Sequence, residues 1–187
     1  MIFALLAVLA LRQVSSPDIG FHLKAGERIL SGGGWPRLDP FTFTVRDHPY
    51  VDTSWGYQVV AALANRAAGA TGLILLNTAL VLAIFGVLLR TAKLLPAGPL
   101  ALPLTLLLGG LAAELRFETR PELVSYLLLA VVLHLLHRHA LGKPSPLWLL
   151  VPIHLLWANL HGLFVLGWVA EGCFVAGCSR GRPLRSV

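Results

Sequence analysis

The chain has 187 residues, 56% of them hydrophobic and only 13% charged, with a mean hydropathy of +0.74 and a formal net charge of +6. Soluble domains carry about 25% charged residues, so this composition excludes an ordinary water-soluble globule and points to a polytopic membrane protein. The basic residues sit in loops between apolar runs, where lipid headgroups and topology account for them, and no basic patch interleaved with aromatics argues for a nucleic-acid partner.

The first apolar run, "MIFALLAVLALRQV", makes a helix of about 20 Å, short of the roughly 30 Å that a full span needs. It lacks a basic n-region and a small-x-small cleavage site, so it reads as a first transmembrane helix whose beginning is missing and not as a signal peptide. Residues 15–69 are a long polar excursion that holds Pro17, "SGGGWP", "LDPF", "DHPY" and most of the acidic residues. Within it, "DIGFHLKAGERIL" predicts an amphipathic interfacial helix. Pro17 precedes it, Asp18 caps or starts it, Ile19, Leu23 and Ile29 or Leu30 share a face, and "SGGG" ends it. Asp39, before Pro40, reads as a turn former. "SWGYQVVAALANRAAGA" predicts a second helix that leads back to the membrane.

Apolar runs then follow near 70–89, 100–114, 121–138 and 147–178. The last is about 48 Å as one helix, which is long for a single span. "WANLHG" places Asn159, His161 and Gly162 near its middle and divides it into 147–159 and 162–178. With residues 1–14 this gives about six spans. The expected architecture is all-α: a single membrane domain over 1–187, built as a transmembrane helix bundle. Cys173 and Cys178, both in the last run, read as buried small hydrophobes. His134, His137 and His139 read as a helix end at the interface.

Six spans put alternate loops on one side. Loop 15–69, the segment from Glu114 to Glu122 and the break at Asn159–His161 then share a face. That face gathers Asp18, His22, Asp39, Asp52, Glu114, Arg116, Glu118, Arg120, Asn159 and His161. Convergent acids, arginines and histidines at a membrane surface are what a site needs. The opposite side carries Arg90, Lys93, Arg138, Lys143, Arg180, Arg182 and Arg185, a density typical of cytoplasmic loops, which puts loop 15–69 outside.

Each candidate has two readings. Asp18 and His22, spaced i,i+4, share a helix face; Asp18 either deprotonates an acceptor hydroxyl or holds a cation, or it merely caps the helix. Asp52 is either a partner of Asp18 or the cap of the helix that starts near Trp55. Arg116 and Arg120 either clamp a phosphate or anchor headgroups. Asn159 and His161 either line a cavity or bind helices together. Glu171 is costly facing lipid and is expected to point inward toward a basic group.

"SPDIGFHLKAGERIL…GWPRLDPFTFTVRDHPYVDTSWGYQVVAAL" is similar to the first periplasmic loop of bacterial membrane proteins of the GT-C glycosyltransferase superfamily. "RPELVSYLLL" and "LWANLHGLFVLG" resemble further blocks of that group, in the same order. The "Ile19-Gly20-Phe21" stretch departs from it, since related sequences often carry an aromatic pair before the His. The resemblance implies an enzyme of the bacterial inner membrane that moves a sugar from a polyprenyl-phosphate donor to an extracytoplasmic acceptor. It implies catalytic roles for Asp18 and Asp52, and substrate contacts from His22, Arg116, Arg120, Asn159 and His161. A further likeness to oligosaccharyltransferase catalytic subunits implies a divalent cation, magnesium or manganese, with Asp18 and Asp52 as candidate ligands. It also implies that the chain is an N-terminal fragment. The rival readings are a non-catalytic scaffold of the same fold and a transporter or flippase subunit, which would show a polar path along Asn77, His154 and Glu171.

Overall fold

A computed structural model describes residues 2–34, 38–39, 41 and 48–179. Among these residues the chain is all-helical. Its elements are α1 (Ile2–Ala10), α2 (Ile19–Leu30), α3 (Trp55–Ala92), α4 (Ala101–Ala113), α5 (Glu122–Ala140), α6 (Leu150–Leu160) and α7 (Val165–Ser179). Single 3-10 turns at Glu114–Arg116, Leu147–Leu149 and Gly162–Phe164 introduce or end helices. The only extended pairing among the described residues is an isolated one between Leu38 and Pro49. Arg180, Arg182 and Arg185, which the topology argument used, lie outside the described residues.

Two helices, α3 and α5, are long and apolar enough to cross a membrane. The other apolar runs form shorter helices: α1 has 9 residues, α4 has 13, α6 has 11 and α7 has 15. The 147–178 stretch is two helices. His161 takes an extended backbone (φ −169°, ψ 145°) between them.

The two helices expected over 55–89 run together as α3, with a kink at Ala68 and Gly69. Gly69 adopts φ 58° and ψ −143°, a conformation that is open to glycine and closed to side chains with a Cβ. The polar arm before the kink carries α2. The arm after it packs against α1, α4 and α5 through Leu6, Ala10, Val81, Ile84, Phe85, Leu106, Phe117 and Leu123. A second cluster joins Tyr57, Ala61 and Leu73 to Ile19 and Leu23 of α2. A third packs Val132 and Leu136 of α5 around Trp157 of α6.

Large apolar side chains face outward on α4 (Leu104, Leu108, Leu111), α6 (Val151, Leu155) and α7 (Trp168, Val169, Val175). Water disfavours such a surface, whereas hydrocarbon accepts it. Cys173 and Cys178 belong to it: both are exposed, which corrects the expectation that they are buried. α7 packs inward through Phe174, against the Trp157 cluster, and both thiols are exposed away from that contact.

Candidate functional site

α2 places the first candidates. Its N-cap residue is Asp18, as the sequence predicts, but the carboxylate makes no capping hydrogen bond. Asp18 Oδ2 instead lies 3.8 Å from Arg120 Nη2, across a gap of about a hundred residues in sequence. Arg120 is shared with Glu118, whose Oε2 is 3.0 Å from its Nε. The Asp18 side chain is 59% exposed and that of Arg120 30%, so water screens the pair and it stabilises the fold little. The carboxylate is therefore accessible to a ligand, with a guanidinium held beside it.

His22 lies one turn on from Asp18. Its Nδ1 is 3.5 Å from Nε2 of Gln58, a fully buried amide on α3, and its ring meets the edge of Tyr57 with 5.8 Å between centroids. Burial holds the His22 pKa below the ordinary imidazole value, and the nearby His161 and Arg120 act in the same direction, while Asp18 and Asp52 oppose them. Four chain segments thus bear on one ring: the start of α2, the lead into α3, the start of α5 and the α6–α7 break.

Asp52 is buried in the lead into α3. Its Oδ1 accepts from the Ser54 backbone N–H at 2.9 Å, which tightens the turn into the helix. Its Oδ2 has no hydrogen-bond partner among the described residues. Burial, and after it the Asp52 charge, push the neighbouring Tyr50 hydroxyl up to about 12. Asp39 forms the expected turn, its Oδ1 accepting from Phe41 N at 2.8 Å.

α5 and the α6–α7 break complete the cluster. His161 Nδ1 is 2.8 Å from Ser125 Oγ, and Trp157 Nε1 donates to the same oxygen at 2.7 Å. Burial lowers the His161 pKa, against the pull of Glu122. Asn159 accepts from Trp55 Nε1 at 3.0 Å, which holds α6 against α3, and donates within its own helix to Leu155 O at 2.6 Å, so both ends of its amide are engaged. The approach there is close, since a Cβ on Gly56 would lie 2.8 Å from the Asn159 carbonyl oxygen.

No protein-family model, no curated protein and no solved structure matches this chain.

The structure therefore brings Asp18, His22, Asp52, Arg120 and His161 together, with Asn159 bracing their edge. Arg116 goes elsewhere. It borders an apolar cleft of about 590 Å³ between α3, α4 and α5, lined by Phe85, Leu102, Leu106 and Tyr126 among others. Among the described residues no three His, Cys, Asp or Glu side chains gather to hold a metal ion. Asp18 faces Arg120, and one oxygen of Asp52 is committed to Ser54.

Of the polar residues of the transport reading, Asn77 lies apart from His154 and Glu171. Asn77 donates to Phe117 O at 2.7 Å and borders a small cavity of about 110 Å³. Glu171 does find a basic partner, His154, with 3.6 Å between Oε1 and Nδ1, in a separate groove on α6 and α7. Gln58, Ser125 and Trp157 were not singled out by the sequence. The available signal was a lone amide or hydroxyl inside an apolar helical run, which needs a partner wherever it is buried.

Proposed function

We propose that this chain carries the site of a membrane glycosyltransferase of GT-C type, which moves a sugar from a polyprenyl-phosphate donor to an acceptor on the extracytoplasmic side. The observation that carries the reading is the meeting of Asp18 and Arg120, the acid and the base from two blocks of the resemblance, at an accessible polar cluster. Asp18 takes the proton of the acceptor hydroxyl as that oxygen bonds to the anomeric carbon. The bond from that carbon to the phosphate oxygen breaks, and its electron pair leaves with the lipid phosphate. Arg120 faces the charge that develops there, and His22 and His161 contribute hydrogen bonds. The apolar cleft between α3, α4 and α5 suits a prenyl chain.

The test is transfer in proteoliposomes from a panel of polyprenyl-phosphate-linked sugars, comparing the wild type with Asp18→Asn. Loss of a general base lowers the rate about 10²- to 10⁴-fold. Expression and thermal stability should be unchanged, because the carboxylate caps nothing and its ion pair is exposed. Retained transfer in Asp18→Asn removes Asp18 from the chemistry, and a wild type that uses none of these donors removes the reaction class. A non-catalytic scaffold is the second reading. The engaged amide of Asn159 and the turn made by Asp52 favour it, since both residues hold structure together.

A further inference from the structure

Trp157 is wholly buried and Ser125 is 1% exposed, and the hydrogen bonds that join them to His161 have directions that can be worked out. An indole N–H can only donate, so Ser125 Oγ must accept from Trp157 Nε1 at 2.7 Å. The Ser125 hydroxyl then has one proton of its own to place. Thr78, Thr91 and Thr105 each place theirs on the carbonyl four residues back, at 2.8, 2.9 and 2.8 Å. Ser125 makes no such bond among the described residues, and the acceptor it does meet is His161 Nδ1, at 2.8 Å. A ring nitrogen that accepts carries no proton, so the single proton of the neutral imidazole is on Nε2.

The backbone fixes the arrangement from the other side. His161 N donates to Trp157 O at 3.0 Å, and the extended conformation at His161 turns the ring back toward α5. Nε2 has no hydrogen-bond partner among the described residues and is not fully buried. A second proton could enter the ring only at Nδ1. That would strand the Ser125 hydroxyl proton in a buried place, and a buried donor without an acceptor is costly. Burial of the ring also disfavours the charged form.

We propose that Trp157 and Ser125 form a one-way hydrogen-bond chain that fixes His161 as the neutral Nε2–H tautomer, so that His161 serves the polar cluster as a hydrogen-bond donor to an anionic oxygen and not as a proton acceptor or metal ligand. Ser125 and Trp157 are positioning residues. At 1% exposure Ser125 Oγ is closed to substrate, which separates this arrangement from a serine nucleophile activated by a histidine. The proposal deepens the transferase reading and rests on it only for the identity of the oxygen, a lipid-linked phosphate.

The experiment is nitrogen-15 NMR of ring-labelled histidines in the full chain in lipid nanodiscs, with His161 assigned by its absence from His161→Gln. In the wild type, His161 should show an unprotonated Nδ1 and a protonated Nε2, without tautomer averaging, at neutral pH. Ser125→Ala should release the ring and shift its tautomer ratio about 2- to 12-fold toward Nδ1–H, the range that one hydrogen bond supports. Ser125→Thr, which keeps the hydroxyl, should restore the wild-type pair. A protonated Nδ1 in the neutral wild-type ring overturns the proposal, and so does a Ser125→Ala spectrum identical to the wild type. The wild-type spectrum decides even where a variant fails to fold. Transfer is assayed separately: a fixed tautomer in a chain without transfer activity counts against the transferase and leaves the hydrogen-bond chain standing.

Discussion

The site exists only if α2 lies flat against α3, and two glycines of α2 test this with the same substitution. A Cβ on Gly26 would sit 2.6 Å from the Gln58 carbonyl carbon and 2.8 Å from Ala62 Cβ, and would also press on the Gln58 carbonyl oxygen. Carbon atoms pack at about 3.5–4.0 Å, so Gly26→Ala must push α2 off α3 by on the order of 1 Å. The neighbours are largely backbone and cannot swing aside. Overpacking of this kind costs about 1–3 kcal/mol, which for a chain of this size lowers the melting temperature by about 2–12 °C. Gly20 is in the same helix, and a Cβ there meets nothing within 4 Å. Gly20→Ala should therefore stabilise by about 0.4–1 kcal/mol through the lost freedom of the unfolded chain. Thermal unfolding of wild type, Gly20→Ala and Gly26→Ala, followed by tryptophan fluorescence in one detergent, reads the difference. Opposite signs support the packing. A Gly26→Ala protein as stable as Gly20→Ala would falsify the docking of α2, and with it the placement of His22 beside Gln58.

Three further outcomes follow from the same geometry. His22 and His161 both hold pKa values below the ordinary 6.5, so the unfolded chain binds more protons than the folded one as pH falls through that value. The stability they contribute is complete above about pH 6.5 and declines on acidification below it; His22→Gln should flatten the decline of melting temperature, and a melting temperature that rises on acidification would contradict the burial. Asp52→Asn keeps the oxygen that accepts from Ser54 and should fold normally, whereas Asp52→Ala loses it and should cost about 0.5–1.5 kcal/mol in denaturant titration, the worth of one hydrogen bond, since Ser54 and not Asp52 is the N-cap of α3. Asn77→Ala leaves the Phe117 carbonyl without its buried donor and should cost about 1–3 kcal/mol; a neutral effect would mean that water already serves that carbonyl.

How far the sequence could be read differed between the fold and the site. Helix positions followed from the apolar runs and their breakers: "SGGG" ends α2, and the extended residue at His161 divides α6 from α7 where "WANLHG" stood. Which faces of those helices are covered did not follow. In a chain of this composition, Cys173 on an open helix side and Leu136 in the core have the same polarity requirement, so hydropathy cannot sort them. The break expected near residue 70 lies at the kink, but "RAAGA" did not show that α3 continues past a single glycine at positive φ.

The site was legible to the extent that counting alone could decide it. Alternation of the six expected spans would put loop one, the α4–α5 connection and the α6–α7 break on one face without any knowledge of side-chain direction. The 3.8 Å separation of Asp18 and Arg120 and the bearing of Asp52, Arg120 and His161 on His22 fit that placement. Spacing failed where it assumed regular structure. Arg116 and Arg120 are four residues apart, which brings side chains together on an α-helix. Here residues 114–116 wind as a 3-10 turn and 117–121 leave the helix, so Arg116 turns to the apolar cleft while Arg120 turns to Asp18. Ser125 and Trp157 escaped notice for a related reason. Each looks apolar or incidental in its own run, and only the packing of α5 against α6 shows that one is the hydrogen-bond donor to the other. Which segments meet could thus be reached by counting, whereas the pairing of individual side chains could not.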